Sequence, residues 1–399
     1  MENNYTEEVS TDIMINLVTM TGIPMSTMNS TATPEGGGQG WGVGRIENNI
    51  AVRTVYGIIA MTGILGNFLV CFALFRNATL RTRTSYFIIH LAFTDLLTST
   101  WTIPFHLFPD PPGVADNTNG EIVCRLYISK FPLWCTIFAS VYSLVNVTLE
   151  RYFAVVHPVK YKILFSRKWS ALMMSATWVI GFLSNIYFFW LYDAKEGSCD
   201  FVGYPSVPAQ RIVGVYTFAV VYVIPIVATL FCHHKMIASL KKQLETLRQE
   251  RREKRATGQK PKKDANAWQL KAAHEIQKTL LVVIITYMIC WAPNQFIFFA
   301  FNMGAPVDFT QPYYHVSVVF ALFNSCLNPF IYVYKNKYFR RGLLESLGCP
   351  EGMLTFLNRI GPASTGTAEG ETPTNTLENT AGAGVSGRAS GHSTNDSLV

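Results

Sequence analysis

The chain has 399 residues, of which 49% are hydrophobic, 13% aromatic and only 15% charged, where soluble domains carry about 25% charged residues. So few charges cannot solvate a globule of this size, and long stretches hold none at all, which excludes a soluble enzyme and a fibrous or disordered chain. The formal net charge of +7 must then be read against a bilayer.

Residues 1–50 form a polar tail with the flexible run Gly36-Gly37-Gly38. No cleavable signal peptide is expected in it, because residues 1–35 lack a basic start followed by an apolar core. Its sequons at Asn4 and Asn29 are candidate N-glycosylation sites. A helix crosses the hydrocarbon with about 20 mostly apolar residues. Seven segments qualify: 55–75, 85–108, 131–149, 169–192, 212–232, 279–307 and 309–334. Six of them carry no charge, and the second carries only Asp95. Pro and Gly inside the spans are tolerated in lipid because neighbouring helices re-satisfy the backbone.

The loops set the orientation. The first connection has Arg76, Arg81 and Arg83 and no acid, and the third has Arg151, Lys160, Lys162, Arg167 and Lys168 against Glu150. Residues 233–278 hold 13 Lys/Arg against 5 Asp/Glu. These alternate loops face the cytoplasm by the positive-inside rule. The N-terminal tail and the other loops lie outside with 6 Lys/Arg and 13 Asp/Glu, a local balance of −7. The basic excess is thus a topology signal in the plasma membrane, and a nucleic-acid partner has no soluble domain to bind. The sequons at Asn77 and Asn395 fall inside and are chance matches.

Eight cysteines sort by depth. Cys71, Cys135, Cys232, Cys290 and Cys326 lie in or at the ends of spans as small packing residues. Cys124 and Cys199 alone lie outside, where an oxidising compartment makes one disulfide the economical pairing. On the inner side, Met236, Leu240, Leu244 and Leu247 recur among Lys and Arg, so the fifth helix should extend beyond the bilayer. Residues 337–347, with Phe339, Leu343, Leu344 and Leu347 on one side, predict a short amphipathic eighth helix along the membrane, followed by Cys349 as a candidate acylation site. The reading is an all-α membrane protein. It comprises an extracellular tail (1–50), a seven-helix bundle with a short eighth helix (51–347) and a disordered cytoplasmic tail (348–399).

The ordered series of polar and kinking residues resembles the rhodopsin-like (class A) G-protein-coupled receptors over roughly residues 55–347. The resemblance is carried by Gly66-Asn67, then Leu91-Ala92-Phe93-Thr94-Asp95, then Glu150-Arg151-Tyr152 with His157-Pro158. Trp178, Pro225 and Cys290-Trp291-Ala292-Pro293 follow, and the series ends in Asn324-Ser325-Cys326-Leu327-Asn328-Pro329-Phe330-Ile331-Tyr332. It implies a receptor for an extracellular ligand that activates a heterotrimeric G protein and has no chemistry of its own. Glu150, Arg151 and Tyr152 would form the coupling site, with Arg151 paired at rest and then released to the G protein. Pro225, Trp291, Pro293, Asn328, Pro329 and Tyr332 would be the activation switches, since Pro293 and Pro329 permit kinks that act as levers. Asp95, Ser140, Asn324, Ser325 and Asn328 would hold a sodium ion or a water-filled hydrogen-bond network, no other cofactor being implied. The tail hydroxyls would meet kinases and arrestin, and Ser397-Leu398-Val399 resembles a PDZ-domain ligand.

This chain departs from the family pattern in several places. Glu150 stands for the usual aspartate, His233 for a tyrosine, Tyr287 for a phenylalanine and Ala273 for an acid. Cys124 lies two residues further from Arg151 than the family spacing, a difference that a bulge at Pro132 would absorb.

Absences narrow the ligand. No lysine lies in the seventh span, so retinal has no Schiff-base partner, and Leu133 falls where amine receptors keep an aspartate. What remains is an extracellular peptide, with a neuropeptide favoured, or a small lipid-like or neutral ligand. The pocket is expected from Phe105, Leu133, Trp134, Ile137, Trp291, Gln295, Phe298 and Tyr314. The acidic outer face would steer cationic ligands towards it. Rival classes fare worse. A transporter should show internal repeats, and none is found. An intramembrane hydrolase needs paired acids or metal ligands, yet Asp95 stands alone and His90, His106 and His315 lack a partner motif. A receptor-like scaffold that does not signal rests only on His233 and Tyr287.

Overall fold

The computed structural model describes residues 49–80, 82–108, 111, 113–257, 265–309 and 311–349. Asn4, Asn29 and the C-terminal Ser397-Leu398-Val399 lie outside the described residues. The long helices are α1 (Ile50–Arg76), α2 (Arg83–His106), α3 (Phe131–Val156) and α4 (Arg167–Asn185). Helix α5 runs through Val207–Thr217, a π-helical turn at Phe218–Val223 and Ile224–Ala256. It is followed by α6 (Ala265–Met303), α7 (Pro312–Lys335) and the short α8 (Lys337–Ser346).

Six helical stretches are long and apolar enough to cross a membrane. Helix α2 also has the length, 24 residues or about 36 Å at 1.5 Å per residue, but it carries Asp95, His90 and seven Ser/Thr. Its polar residues turn inward: Thr84, Ser85, Thr94, Asp95, Thr98, Ser99 and Thr102 are all buried. Several hydroxyls return to their own helix's carbonyls, as Thr98 does to Thr94 (2.9 Å) and Ser99 to Asp95 (2.9 Å). A polar helix can therefore span because its polarity is consumed within the protein.

Each end has a local cause. The Asn49 side chain caps α1 by accepting from Ala51 N at 2.8 Å. Thr82 and Ser85 form a reciprocal capping box for α2. Gly304, at φ 103°, ends α6 soon after Met303, earlier than the expected 307, and α7 begins at Pro312 instead of 309. The fourth span also ends early. After Asn185 the chain makes a turn at Phe188–Leu191, and Tyr192, expected as its last helical residue, starts a strand. That strand (Tyr192–Lys195) pairs antiparallel with Ser198–Phe201 in the one hairpin among the described residues. Cys124 and Cys199 are disulfide-bonded, tying the hairpin to the outer approach of α3. Arg125 adds to this tie by donating to Phe189 O (2.8 Å) and by its pairing with Glu121 (2.6 Å) and Asp193 (3.3 Å). The extra residues before α3 are not absorbed by a bulge at Pro132. A π-helical turn over Val123–Ile128 and a left-handed Lys130 (φ 59°) take them up, and Pro132 lies in the first turn of α3.

Hydrophobic transfer cannot drive helix association in lipid, so close approach and packing must. A Cβ on Gly63 would stand 2.1 Å from Ser99 Oγ and 3.2 Å from Cys326 Sγ, so α1, α2 and α7 meet there only because the side chain is absent. On the inner side most of 233–278 is helical extension. Met236 and Leu240 of the lengthened α5 are buried, while Leu244 and Leu247 are half-buried. Helix α8 buries Phe339, Leu343 and Leu344, and Leu347, expected on the same side, falls just past its last residue and is exposed. Asn77, the inner chance sequon, gives its amide to Glu345 of α8 at 3.0 Å.

Candidate functional site

Buried polar side chains gather at the inner end, the middle and the outer end of the bundle. At the inner end, Glu150 of α3 is fully buried. Arg151 grips it with two bonds, Nε to Oε2 at 2.5 Å and Nη2 to Oε1 at 2.6 Å. The same carboxylate accepts from Thr84 of α2 (3.1 Å) and from Tyr161 of the following short helix Pro158–Leu164 (2.6 Å). Burial, and then the hydrogen bond to Glu150, push the Tyr161 hydroxyl up to about 12, so it remains a donor at physiological pH. A buried carboxylate with three such donors is well compensated, and removing its arginine would leave a costly charge. Tyr152 faces elsewhere, towards His157 Nε2 at 3.2 Å. His233 and Tyr332 lie buried, and neither the His233 ring nitrogens nor the Tyr332 hydroxyl has a hydrogen-bond partner.

In the middle, Asp95 is fully buried and accepts from Ser140 of α3 at 2.5 Å and Asn328 of α7 at 2.8 Å. Ser325 is close enough to act on it as a donor, whereas Asn324, buried on the same helix, makes no hydrogen bond to it. Asn67 joins α1 to this cluster by donating to Ser325 O and Gly63 O, both at 2.9 Å. The carbonyl oxygens of the Asn67 and Asn328 side chains are buried without partners. These oxygens with one carboxylate are a hard-cation donor set. Among the described residues no group of three His, Cys, Asp or Glu gathers as a transition-metal site would require. Nearby, Trp178 of α4 donates its indole N–H to His90 Nε2 at 3.0 Å. An indole only donates, so His90 carries its proton on Nδ1, which faces Ser143 Oγ at 2.9 Å. His90 thus links α2, α3 and α4.

The switch residues explain one another through Pro225. Proline has no N–H, so where the π-helical turn passes back into α-helix neither the Val220 nor the Val221 carbonyl receives a donor from residue 225. Each receives a tyrosine hydroxyl instead: Tyr287 of α6 donates to Val221 O, and Tyr142 of α3 donates to Val220 O at 3.0 Å. Tyr222 of α5 returns the contact to Met288 O at 3.1 Å. The hydroxyl that separates Tyr287 from the family's phenylalanine therefore has a definite acceptor. Trp291, one turn on from Tyr287 and 6.3 Å from it between ring centroids, is buried with its Nε1 unpartnered. Pro293 and Pro329 lie inside α6 and α7.

At the outer end, opposite the Glu150–Arg151 pair, lies a small cavity of about 40 Å³. Four of the eight expected pocket residues line it: Leu133, Trp134, Ile137 and Tyr314. Phe105 instead packs between Trp101 and Tyr127 (ring centroids 5.4 and 5.2 Å), Trp291 and Gln295 are buried outside its lining, and Phe298 is half-buried. Tyr56, His106, Lys130, Asn294 and His315 also line the cavity, and sequence reasoning had not placed them there. The available signal was position: His106 closes α2 and His315 opens α7, at the same end of the bundle.

Residues 66–332 match the family described as "7 transmembrane receptor (rhodopsin family)". The chain is similar to the octopamine receptor beta-2R of Chilo suppressalis, 25% identical over 321 residues covering 73% of this chain and 78% of that one. It is also similar to the galanin receptor 2a of Danio rerio, 25% identical over 320 residues covering 78% and 80% of the two chains.

The proline–tyrosine compensation predicts a coupling. Tyr287→Phe leaves the Val221 carbonyl orphaned and should lower stability by about 1–3 kcal/mol, measured by thermal denaturation of the detergent-solubilised protein. Pro225→Ala restores a helical N–H, so the same substitution in that background should cost much less. Equal costs in both backgrounds would refute the compensation.

Proposed function

Because the chain belongs to the rhodopsin family of seven-transmembrane receptors, we propose that it is a neuropeptide receptor whose outer cavity takes the ligand and whose Glu150–Arg151 end engages a heterotrimeric G protein. The family and the receptors it resembles make it a multi-pass membrane protein and a signalling receptor, not an enzyme. The observation that carries the peptide reading is the cavity wall. Leu133 is buried in it where an amine receptor needs its aspartate, and no Asp or Glu is among the described lining residues. An amine of the kind named for the octopamine receptor would lack its counter-ion, whereas a peptide, as named for the galanin receptor, does not require one.

The buried groups favour the following sequence. Ligand in the cavity, lined by Asn294 one turn outward of Trp291, biases the packing of that indole. Trp291 in turn bears on Tyr287 and, through it, on the α5 carbonyls freed by Pro225. Helix α6 swings about Pro293, and Arg151 exchanges Glu150 for the G-protein C-terminus. The unpartnered His233 ring and Tyr332 hydroxyl give this rearrangement polar groups whose burial costs free energy at rest. Ligand supplies only its differential affinity for the two states. The Asp95 cluster fits a sodium ion held by Asp95, Ser140, Ser325 and Asn328, which would bias the resting arrangement. The basic loops favour an inner C-terminus and an outer N-terminus in the plasma membrane. Half-buried Cys349, just beyond α8, suits an acyl anchor. The tail beyond it, outside the described residues, would serve kinases, arrestin and a PDZ-domain protein.

In cells screened with neuropeptides, lipids and amines, a peptide should drive nucleotide exchange, and Arg151→Ala at equal surface expression should abolish it. Full exchange by the variant would contradict the coupling role. Replacing external sodium with N-methylglucamine should change agonist affinity in the native chain and not in Asp95→Asn; an insensitive native chain would remove the sodium site from the account.

A further inference from the structure

We propose that the outer cavity is a carboxylate site that receives the free C-terminal carboxylate of a peptide with a basic or neutral body. The proposal rests on the receptor reading above and names the chemistry of its ligand. Three side chains that can carry charge line the cavity, and all three are basic: His106, Lys130 and His315. They come from α2, the approach to α3, and α7, so the chain brings them together from three separate segments.

His106 supplies the sharpest constraint. Its Nδ1 lies 2.8 Å from the Phe105 carbonyl, which can only accept, so Nδ1 carries the proton. Its Nε2 is buried and has no hydrogen-bond partner. A buried imidazole nitrogen without a partner calls for an explanation. A carboxylate supplies one: as it enters, the ring takes up a proton from water on Nε2 and donates a charge-assisted hydrogen bond to the ligand oxygen. An amide N–H on the neutral ring would satisfy the nitrogen too, but it would gain nothing from the other two bases.

The backbone points the same way. Helices α3 and α7, of 26 and 24 residues, both begin beside the cavity, so their positive N-terminal ends face it together. Lys130 holds a left-handed backbone at φ 59°, an uncommon conformation for a residue with a side chain. A glycine there would be easier for the backbone and would leave the cavity without that ammonium.

Size and surface charge decide which carboxylate. The cavity's free interior of about 40 Å³ is room for only a few water molecules, so it admits a carboxylate tip and not a whole peptide. A separate depression beside the hairpin is lined by Asp116, Glu121 and Glu196 against one base, Lys195. The net negative charge of that outer surface disfavours a wholly anionic ligand and favours a body with basic residues behind an acidic tip.

The full chain, purified in detergent and also expressed in cells, can be tested with short peptides bearing free C-terminal carboxylates, the same sequences as C-terminal amides, and long-chain fatty acids. Binding is read as thermal stabilisation and signalling as nucleotide exchange. Free-acid peptides should bind, with their amides weaker by about 10- to 100-fold, the range of a charge-assisted hydrogen bond. His106→Phe, which keeps the ring, should cost acid affinity a similar factor and leave amide affinity nearly unchanged. Lys130→Gly suits the left-handed backbone and should do the same, with Lys130→Arg restoring binding. Amides that bind as well as acids, or no acid that binds, would overturn the proposal. Fatty acids binding without peptides would uphold a carboxylate site but overturn the peptide source. Acid peptides that bind without driving exchange uphold the site and count against the receptor reading instead.

Discussion

Inside a bilayer no water is available to satisfy a polar group, so each must find its partner within the protein or carry the cost of burial. Asp95 is the one acid in the middle of the described spans, and the packing of α2, α3 and α7 is arranged around its needs. Ser140 and Asn328 close on its two oxygens, and Asn67 extends the cluster to α1. Helix α2 can afford its many hydroxyls because they bond back to its own carbonyls and face the same interior. Small residues then let the backbones approach closely enough for short side chains to meet, as Gly63 does between α1, α2 and α7.

The same constraint turns sequence departures into structure. Pro225 removes a donor, and two tyrosines from α3 and α6 replace it. His90 serves as a joint because one nitrogen accepts from Trp178 while the other faces Ser143. The groups left unpartnered include Trp291 on α6, His233 on α5 and Tyr332 on α7, as well as the Asn67 and Asn328 side-chain carbonyls beside Asp95. The Glu150–Arg151 pair, by comparison, is fully engaged.

Much of this was legible in the sequence because hydropathy and charge report directly on a membrane solvent. Seven spans, the Cys124–Cys199 pairing and the extension of α5 through Met236 and Leu240 follow from apolar run length, compartment and periodicity. Helix ends were less legible: Tyr192 is as apolar as the span before it, and only the pairing of its strand with Ser198–Phe201 takes it out of the helix. The break before α3 was placed at Pro132 since proline is the visible breaker, whereas the backbone turns at Lys130, a residue type that carries no such signal. The outer cavity was half legible. Leu133, Trp134, Ile137 and Tyr314 follow from family register, but His106 and His315 converge from helix ends 209 positions apart in the sequence, and no local pattern records that meeting.

In the proposed activation the inner end opens as α6 moves away from α3 and Arg151 is released from Glu150. Spin labels at Arg167, at the inner start of α4, and Lys278, on α6, are both at exposed positions and report that separation directly. Double electron–electron resonance on the full chain should show the distance lengthening when agonist and G protein bind, and returning when both are removed. An unchanged distance in a sample that is actively exchanging nucleotide would contradict the account.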